Sequence, residues 1–195
     1  VNFYTKWNQS FGEKFSSYVD IQYRKVTYKT AGIDNDQTPY SVSDDFLFLN
    51  PKAGITYMLT PIDMLYSSYA IANREPSRTD YLEGNLEIGW RKSKPRFTGE
   101  LNYYLMNYTD QLVLTGAVSD TGYPIRANVG KSYRTGVELS GSFQLSKVIS
   151  WSANITWSVN RNKDYIVLDE NNVPSTRRTT IILSPSWIGG SQLVW

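Results

Sequence analysis

Two carboxylates in the second half of the chain, Glu100 and Glu138, are the residue type a glycosidase would use as acid and nucleophile. Asp34, Asp36, Asp44 and Asp45 bracket one polar stretch with the oxygen ligands that Ca²⁺ prefers. Neither group carries its chemistry through. A hydrolytic pair needs a set separation that the sequence does not show, and the aspartates lack the Asp-x-Asp-x-Asp-Gly loop with its closing Glu, so they read as a solvated loop. With no Cys and no His in 195 residues, disulfides, Cys/His metal centres and imidazole acid–base catalysis are excluded. No Walker-type phosphate loop is present. The chain reads as a protein without enzymatic activity, implying neither a cofactor nor a metal site.

The remaining groups suit binding. Arg74, Glu75 and Arg78 fall where a strand-like run gives way to a polar connection, and Arg126 and Lys131 fall where another connection returns. Tyr81, Tyr104, Tyr108 and Tyr123 lie nearby in sequence. Arg presents paired donors to anionic oxygens, and aromatic rings offer flat platforms beside them. The competing reading makes Arg74 a structural residue at a loop base, and Tyr104 and Tyr108 structural as well. Twenty Lys and Arg against eighteen Asp and Glu leave a charge of +2, too small a field to attract a nucleic acid.

These groups must be positioned by strands, because apolar residues recur with period two and Gly, Pro, Asn, Asp and Ser punctuate the runs. Tyr133, Thr135, Val137, Leu139, Gly141, Phe143 and Leu145 share one face, while Arg134, Gly136, Glu138, Ser140, Ser142 and Gln144 share the other. Trp151, Ala153, Ile155, Trp157 and Val159 continue the pattern after a tight turn. Leu86, Ile88 and Trp90, then Phe97 to Leu105, make a second hairpin around Ser93-Lys94-Pro95-Arg96. Short turns also fall at Phe11 to Lys14 and Thr60 to Asp63, alternating with long polar connections at Thr30 to Asp44, Asn73 to Asn85, Leu114 to Lys131 and Lys163 to Thr179. The expected architecture is all-β, an antiparallel meander of about nine long strands, most of about 9 to 14 residues.

Alternation alone also fits a soluble β-sandwich. Strand length favours a membrane barrel, since eleven residues at roughly 3.4 Å, tilted by about 45°, rise about 26 Å, the height of an outer-membrane apolar band. Trp7, Tyr57, Trp90, Phe97, Phe143 and Trp151 lie beside the short turns, and Tyr23, Tyr103, Tyr133 and Trp157 lie toward the long connections, as two interfacial girdles require. The mean hydropathy is −0.41, and no run reaches the roughly 20 apolar residues of a membrane helix. Any crossing is by strands. Both termini fall inside strand-like runs and read as cut.

Asn50-Pro51-Lys52-Ala53-Gly54-Ile55-Thr56-Tyr57, then Leu65-Tyr66-Ser67-Ser68-Tyr69 and Ala72-Asn73-Arg74-Glu75-Pro76-Ser77-Arg78, resemble the mid-to-late barrel of TonB-dependent outer-membrane receptors. Asn107-Tyr108-Thr109-Asp110-Gln111-Leu112 and Gly130-Lys131-Ser132-Tyr133-Arg134-Thr135-Gly136-Val137-Glu138 extend the likeness in the same order. The resemblance implies that residues 1–195 are part of a 22-stranded transmembrane barrel, without its plug domain, in the outer membrane of a Gram-negative bacterium. It implies uptake of a scarce metal chelate, foremost a ferric siderophore, energised by the TonB complex through a missing N-terminal part, with the bilayer and lipopolysaccharide as surroundings. Arg177-Arg178 would then meet lipopolysaccharide or solvent. Cobalamin or another TonB-dependent substrate is the alternative cargo; a passive porin or a soluble sandwich module is the alternative protein. Haem-type members carry an Arg-Ala-Pro box and an Asn-Pro-Asn-Leu box around a His; here Arg74-Glu75-Pro76 replaces the first and the others do not occur.

Under this resemblance Arg74, Glu75, Arg78, Tyr81, Tyr104, Tyr108, Arg126 and Lys131 are the expected chelate-binding residues. Arg91, Glu100, Arg134 and Glu138 face the lumen by alternation and are expected to hold the plug through ion pairs that rearrange during transport. The competing reading for these four is a lateral ladder of charges across strands.

Overall fold

The structure, a computed structural model, describes residues 1–33, 37–73, 81–119, 122–168 and 174–195. Alternating side chains produce strands β1 (Asn2–Phe11), β2 (Phe15–Ile33), β3 (Pro39–Thr60), β4 (Asp63–Ala72) and β5 (Tyr81–Lys94). β6 (Phe97–Val118), β7 (Pro124–Gln144), β8 (Ser150–Leu168), β9 (Pro174–Thr180) and β10 (Trp187–Val194) follow. All belong to one sheet in the order β1-β2-β3-β4-β5-β6-β7-β8-β10, with β9 also on β8, and every pairing is antiparallel.

The short turns have visible local causes. Gly12 takes φ +66° between β1 and β2, a conformation that a Cβ resists. Thr60 Oγ1 accepts from the backbone N–H of Ile62 and Asp63 between β3 and β4. Ser146 Oγ accepts from those of Val148 and Ile149 between β7 and β8. Each hydroxyl satisfies donors that the ladder leaves unpaired at a reversal.

The strands are longer than their alternation indicates: β2, β3, β6, β7 and β8 run 19, 22, 22, 21 and 19 residues. The expected long connections are therefore mostly paired backbone, with Ile33 opposite Pro39, Val118 opposite Pro124 and Leu168 opposite Pro174. Alternation fades there because a hairpin arm with water on both faces needs no apolar side, although its backbone still pairs. The last expected strand, after the connection that ends at Thr179, begins only at Trp187 as β10, and β9 lies almost wholly inside that expected connection. Between Thr180, opposite Arg161, and Trp187, opposite Trp157, the chain uses seven steps against four on β8, so residues 181–186 loop out of the ladder.

Register stacks the apolar positions into rows. Phe97, Phe143, Trp151 and Leu193 form one; Trp90, Leu101, Leu139 and Ile155 a second; Tyr103, Val137, Trp157 and Trp187 a third. Ring centroids lie 4.6 Å apart for Phe97 and Phe143, and 5.6 Å for Phe143 and Trp151. These rows are not a core. Leu139 is 52% exposed, and the buried hydrophobic residues among those described are Phe48, Val113 and Ile181. A sandwich would cover this face with a second sheet; the described strands form a single sheet with the face open, which sets that alternative aside.

Candidate functional site

The polar face of the sheet gathers the groups able to bind. Arg91 on β5 lies directly opposite Glu100 on β6, and its Nε and Nη2 donate to Glu100 Oε2 at 3.1 and 2.8 Å. The other carboxylate oxygen, Oε1, accepts from the Tyr66 hydroxyl of β4 at 2.6 Å. Three consecutive strands are thereby tied through one carboxylate. The pair is a lateral cross-strand bond, and with side chains 51% and 28% exposed its net worth is roughly 0–1 kcal/mol. Arg91→Met is accordingly expected to lower folding stability by less than about 1 kcal/mol in a urea titration; a larger loss would show that the pair is shielded from solvent.

Glu138 and Arg134 share this face of β7, with Gly136 between them. Among the described residues Glu138 accepts one hydrogen bond, from Asn102 Nδ2 at 3.3 Å. Arg134 Nη1 donates to Ser184 Oγ at 3.1 Å, so it reaches the segment that loops out between β9 and β10. That segment is seated on the same face: Ser158 N–H and Oγ donate to the carbonyls of Ser186 and Pro185, and Ile181 packs with Val113 and Tyr165. At its tip Leu183 has φ +57° and is 83% exposed, an unfavoured conformation for a branched residue. Glu87, Tyr104, Arg134, Glu138, Leu183 and Pro185 line an open hollow of about 350 Å³ here.

Rings and glycines set the texture of this wall. Tyr18 lies opposite Gly54, Tyr66 opposite Gly89 and Tyr104 opposite Gly136, each ring lying over the space where the glycine's Cβ would stand. Laying a ring across the partner strand covers backbone that glycine leaves bare and holds the hydroxyl at a defined height.

The other expected binding residues are placed as follows. Tyr104 faces this wall, and Tyr108 donates to Met106 Sδ at 3.3 Å on the same side. Tyr81 and Arg126 are in β5 and β7, their side chains outside the described part. Arg74, Glu75 and Arg78 lie outside the described residues, as do Asp34 and Asp36. Lys131 falls on the opposite face. It alternates with Ser132, which is 1% exposed and bonded to Gln111 Oε1 at 2.7 Å, and it shares the outward side with Tyr133. Tyr66, Glu87 and the inward segment 181–186 escaped the sequence reading. Glu87 shares the face of Arg91 by alternation, Tyr66 is placed there only by cross-strand register, and Pro185 in a strand-like run marks an interruption.

A single antiparallel sheet with one apolar open face and one charged, hydrogen-bonded face is one wall of a membrane barrel. The family described as TonB dependent receptor-like, beta-barrel matches residues 1–195. The chain belongs to this TonB-dependent receptor family. No curated protein matches it. Among solved structures, the ferric yersiniabactin uptake receptor FyuA from Yersinia pestis superposes with a TM-score of 0.69 at 17% identity, over 98% of this chain and 30% of that one. The siderophore receptor PiuA from Acinetobacter baumannii gives 0.70 at 16% identity, over 92% and 28%. The ferric-catecholate import receptor Fiu from E. coli K12 gives 0.63 at 15% identity, over 90% and 29%. The chain thus spans less than a third of each of these receptors. TonB-dependent receptors are transporters of the Gram-negative outer membrane, not enzymes, and the passive porin gives way to this assignment.

Proposed function

We propose that the chain forms the later part of the barrel of a receptor that imports a ferric siderophore across the outer membrane, energised through TonB. Residues 1–195 supply barrel wall, and the plug and the TonB-contacting segment belong to other parts of the receptor. The observation that carries the reading is the two-faced sheet: rows of bare apolar side chains on one side, and Arg91, Glu100, Arg134 and Glu138 on the other. The likeness to FyuA, PiuA and Fiu, each an iron-chelate or siderophore receptor, supports the cargo class.

The lumenal charges divide into two kinds. Arg91 and Glu100 satisfy each other across strands, whereas Glu138 keeps a single neutral donor and suits a cationic group of the plug. Arg74, Glu75, Arg78, Tyr81, Tyr104, Tyr108 and Arg126 are proposed to meet the chelate at the extracellular end, with Arg supplying paired donors to its carboxylate or catecholate oxygens. The test is titration calorimetry of the full-length receptor with ferric catecholate, ferric hydroxamate, ferric phenolate and cyanocobalamin. One ferric chelate is expected to bind, and Arg74→Ala with Arg126→Ala to weaken it at least about tenfold, the loss of roughly one charge-assisted contact. Binding of cyanocobalamin alone would overturn the siderophore reading; unchanged chelate affinity in the double variant would remove those two residues from the site.

A further inference from the structure

The lumenal wall is hollowed along one line of strands. Below the hollow of about 350 Å³ at Arg134 and Leu183 lies a second of about 380 Å³, which shares Asn102, Glu138 and Thr156 with it. A third, of about 750 Å³, lies below that and shares Glu100, Ser140 and Asn154 with the second. The three make one groove. From Arg134 to Ser142 it follows β7 for roughly 27 Å along the strand. Its lower end reaches Ser93 and Thr98, paired beside the β5–β6 turn, and Ser142 and Ser152, paired beside the β7–β8 turn.

Side-chain size makes the groove. Its lower lumenal positions are Thr98, Ser140, Ser142, Ser152, Asn154 and Gln192, all neutral and most of them short. Arg91 and Glu100 also border it, but they satisfy each other, and Glu100 is further held by Tyr66. The wall on β1–β3 is built differently. There the Tyr18 ring covers Gly54, with Lys6 Nζ at 5.5 Å and Lys52 Nζ at 5.9 Å from its centroid. Rings and ammonium groups thicken the wall on that side, whereas the hydroxyls of β6–β8 leave it set back. Neutral hydroxyls and amides exchange hydrogen bonds with a passing polar solute much as water does, and they carry no fixed charge to arrest an anion.

We propose that this groove is the route by which the chelate descends between plug and wall, from the hollow at Arg134 to the periplasmic turns. The cargo it suits is a polar, hydrated chelate, because the lower lumenal positions present hydroxyls and amides rather than apolar side chains. A hollow of about 750 Å³ is of the size that takes a small molecule whole. Passage therefore runs along β6–β8 and β10, and the Tyr18 side of the wall stays out of it.

The route rests on the siderophore reading proposed above, and the test separates the two. Uptake of radioiron as ferric catecholate, hydroxamate and phenolate is measured in cells carrying the full-length receptor. Calorimetry of the purified receptor reports chelate affinity, and heat-modifiable migration reports folding. Ser142→Tyr with Ser152→Tyr, a cross-strand pair in the groove, is expected to keep chelate affinity and to lower the uptake rate at least about tenfold. Ser10→Tyr with Ser16→Tyr, a cross-strand pair beside the β1–β2 turn, adds the same bulk outside the groove and should leave uptake within about twofold of wild type. Ser152→Asp with Asn154→Asp keeps the side chains small, and its two negative charges are expected to slow uptake of the anionic ferric catecholate at least about fivefold. Equal losses in the two tyrosine pairs, or unchanged uptake in either groove variant, would overturn the route while leaving the siderophore reading intact. TonB-independent entry of a large hydrophilic antibiotic in the groove variants would also overturn it, by showing that the groove seats the plug. A wild-type receptor that takes up none of the three chelates would overturn both.

Discussion

Leu139→Arg is expected to destabilise the folded receptor in a bilayer by about 2–4 kcal/mol, while Glu138→Gln, its immediate neighbour, changes stability by less than about 0.5 kcal/mol. The contrast follows from period two: adjacent residues of one strand meet opposite environments. Leu139 is opposite Leu101 and Ile155, in the row between the Phe97–Phe143–Trp151 girdle and the Tyr103–Trp157 row, so its guanidinium replacement would enter the apolar band far from either edge. Glu138 gives up one 3.3 Å hydrogen bond from Asn102 in a polar lumen, where water can replace it. Urea titration of refolding into lipid vesicles checks both. Equal losses would show that the faces have been assigned the wrong way or that neither meets lipid.

Gly136→Val is expected to cost about 3 kcal/mol, the upper part of the range for forcing atoms into a filled site. A Cβ at Gly136 would stand 2.6 Å from the Trp157 carbonyl oxygen and 2.7 Å from the Tyr104 hydroxyl. The first is backbone of the neighbouring strand and cannot step aside without opening the β7–β8 ladder. Removing the ring in Tyr104→Ala should therefore fail to rescue Gly136→Val. Gly89 makes the opposite case, because the atoms its Cβ would meet all belong to the Tyr66 ring. Gly89→Ala is expected to cost about 1–2 kcal/mol alone and to become nearly neutral in a Tyr66→Ala background, a coupling that a double-mutant cycle measures directly. An unshifted urea midpoint for Gly136→Val would overturn the register that places it beneath Tyr104.

Several parts of the fold were legible without coordinates. The Tyr133–Leu145 and Trp151–Val159 alternation requires two long strands and a tight turn, and the structure pairs Phe143 with Trp151 and Val137 with Trp157 in that hairpin. The absence of Cys and His removed most enzyme chemistry by composition alone. Parity also assigned Arg91, Glu100, Arg134 and Glu138 to one face, because face depends only on odd or even position within a strand.

Parity fails wherever the count along the strand is disturbed or both sides of the strand are wet. The arms beyond the apolar band resemble loops in sequence because they no longer alternate, yet backbone hydrogen bonds carry β2 to Ile33 and β6 to Val118. The interruption at residues 181–186 follows from a mismatch of seven steps against four, which exists only between two strands. Nearness in sequence groups Lys131 with Arg126, whereas alternation puts it on the outward face that Tyr133 occupies.

Residue order and residue type are enough for the membrane-spanning strands, the two environments that they must separate, and the family. They do not reach the contacts that hold Glu100 between Arg91 and Tyr66, lay Tyr104 over Gly136, and bring Arg134 to Ser184 fifty residues later. Those contacts join different strands, and their existence depends on register, which short polar turns and local propensities constrain but which the packing of the whole sheet selects.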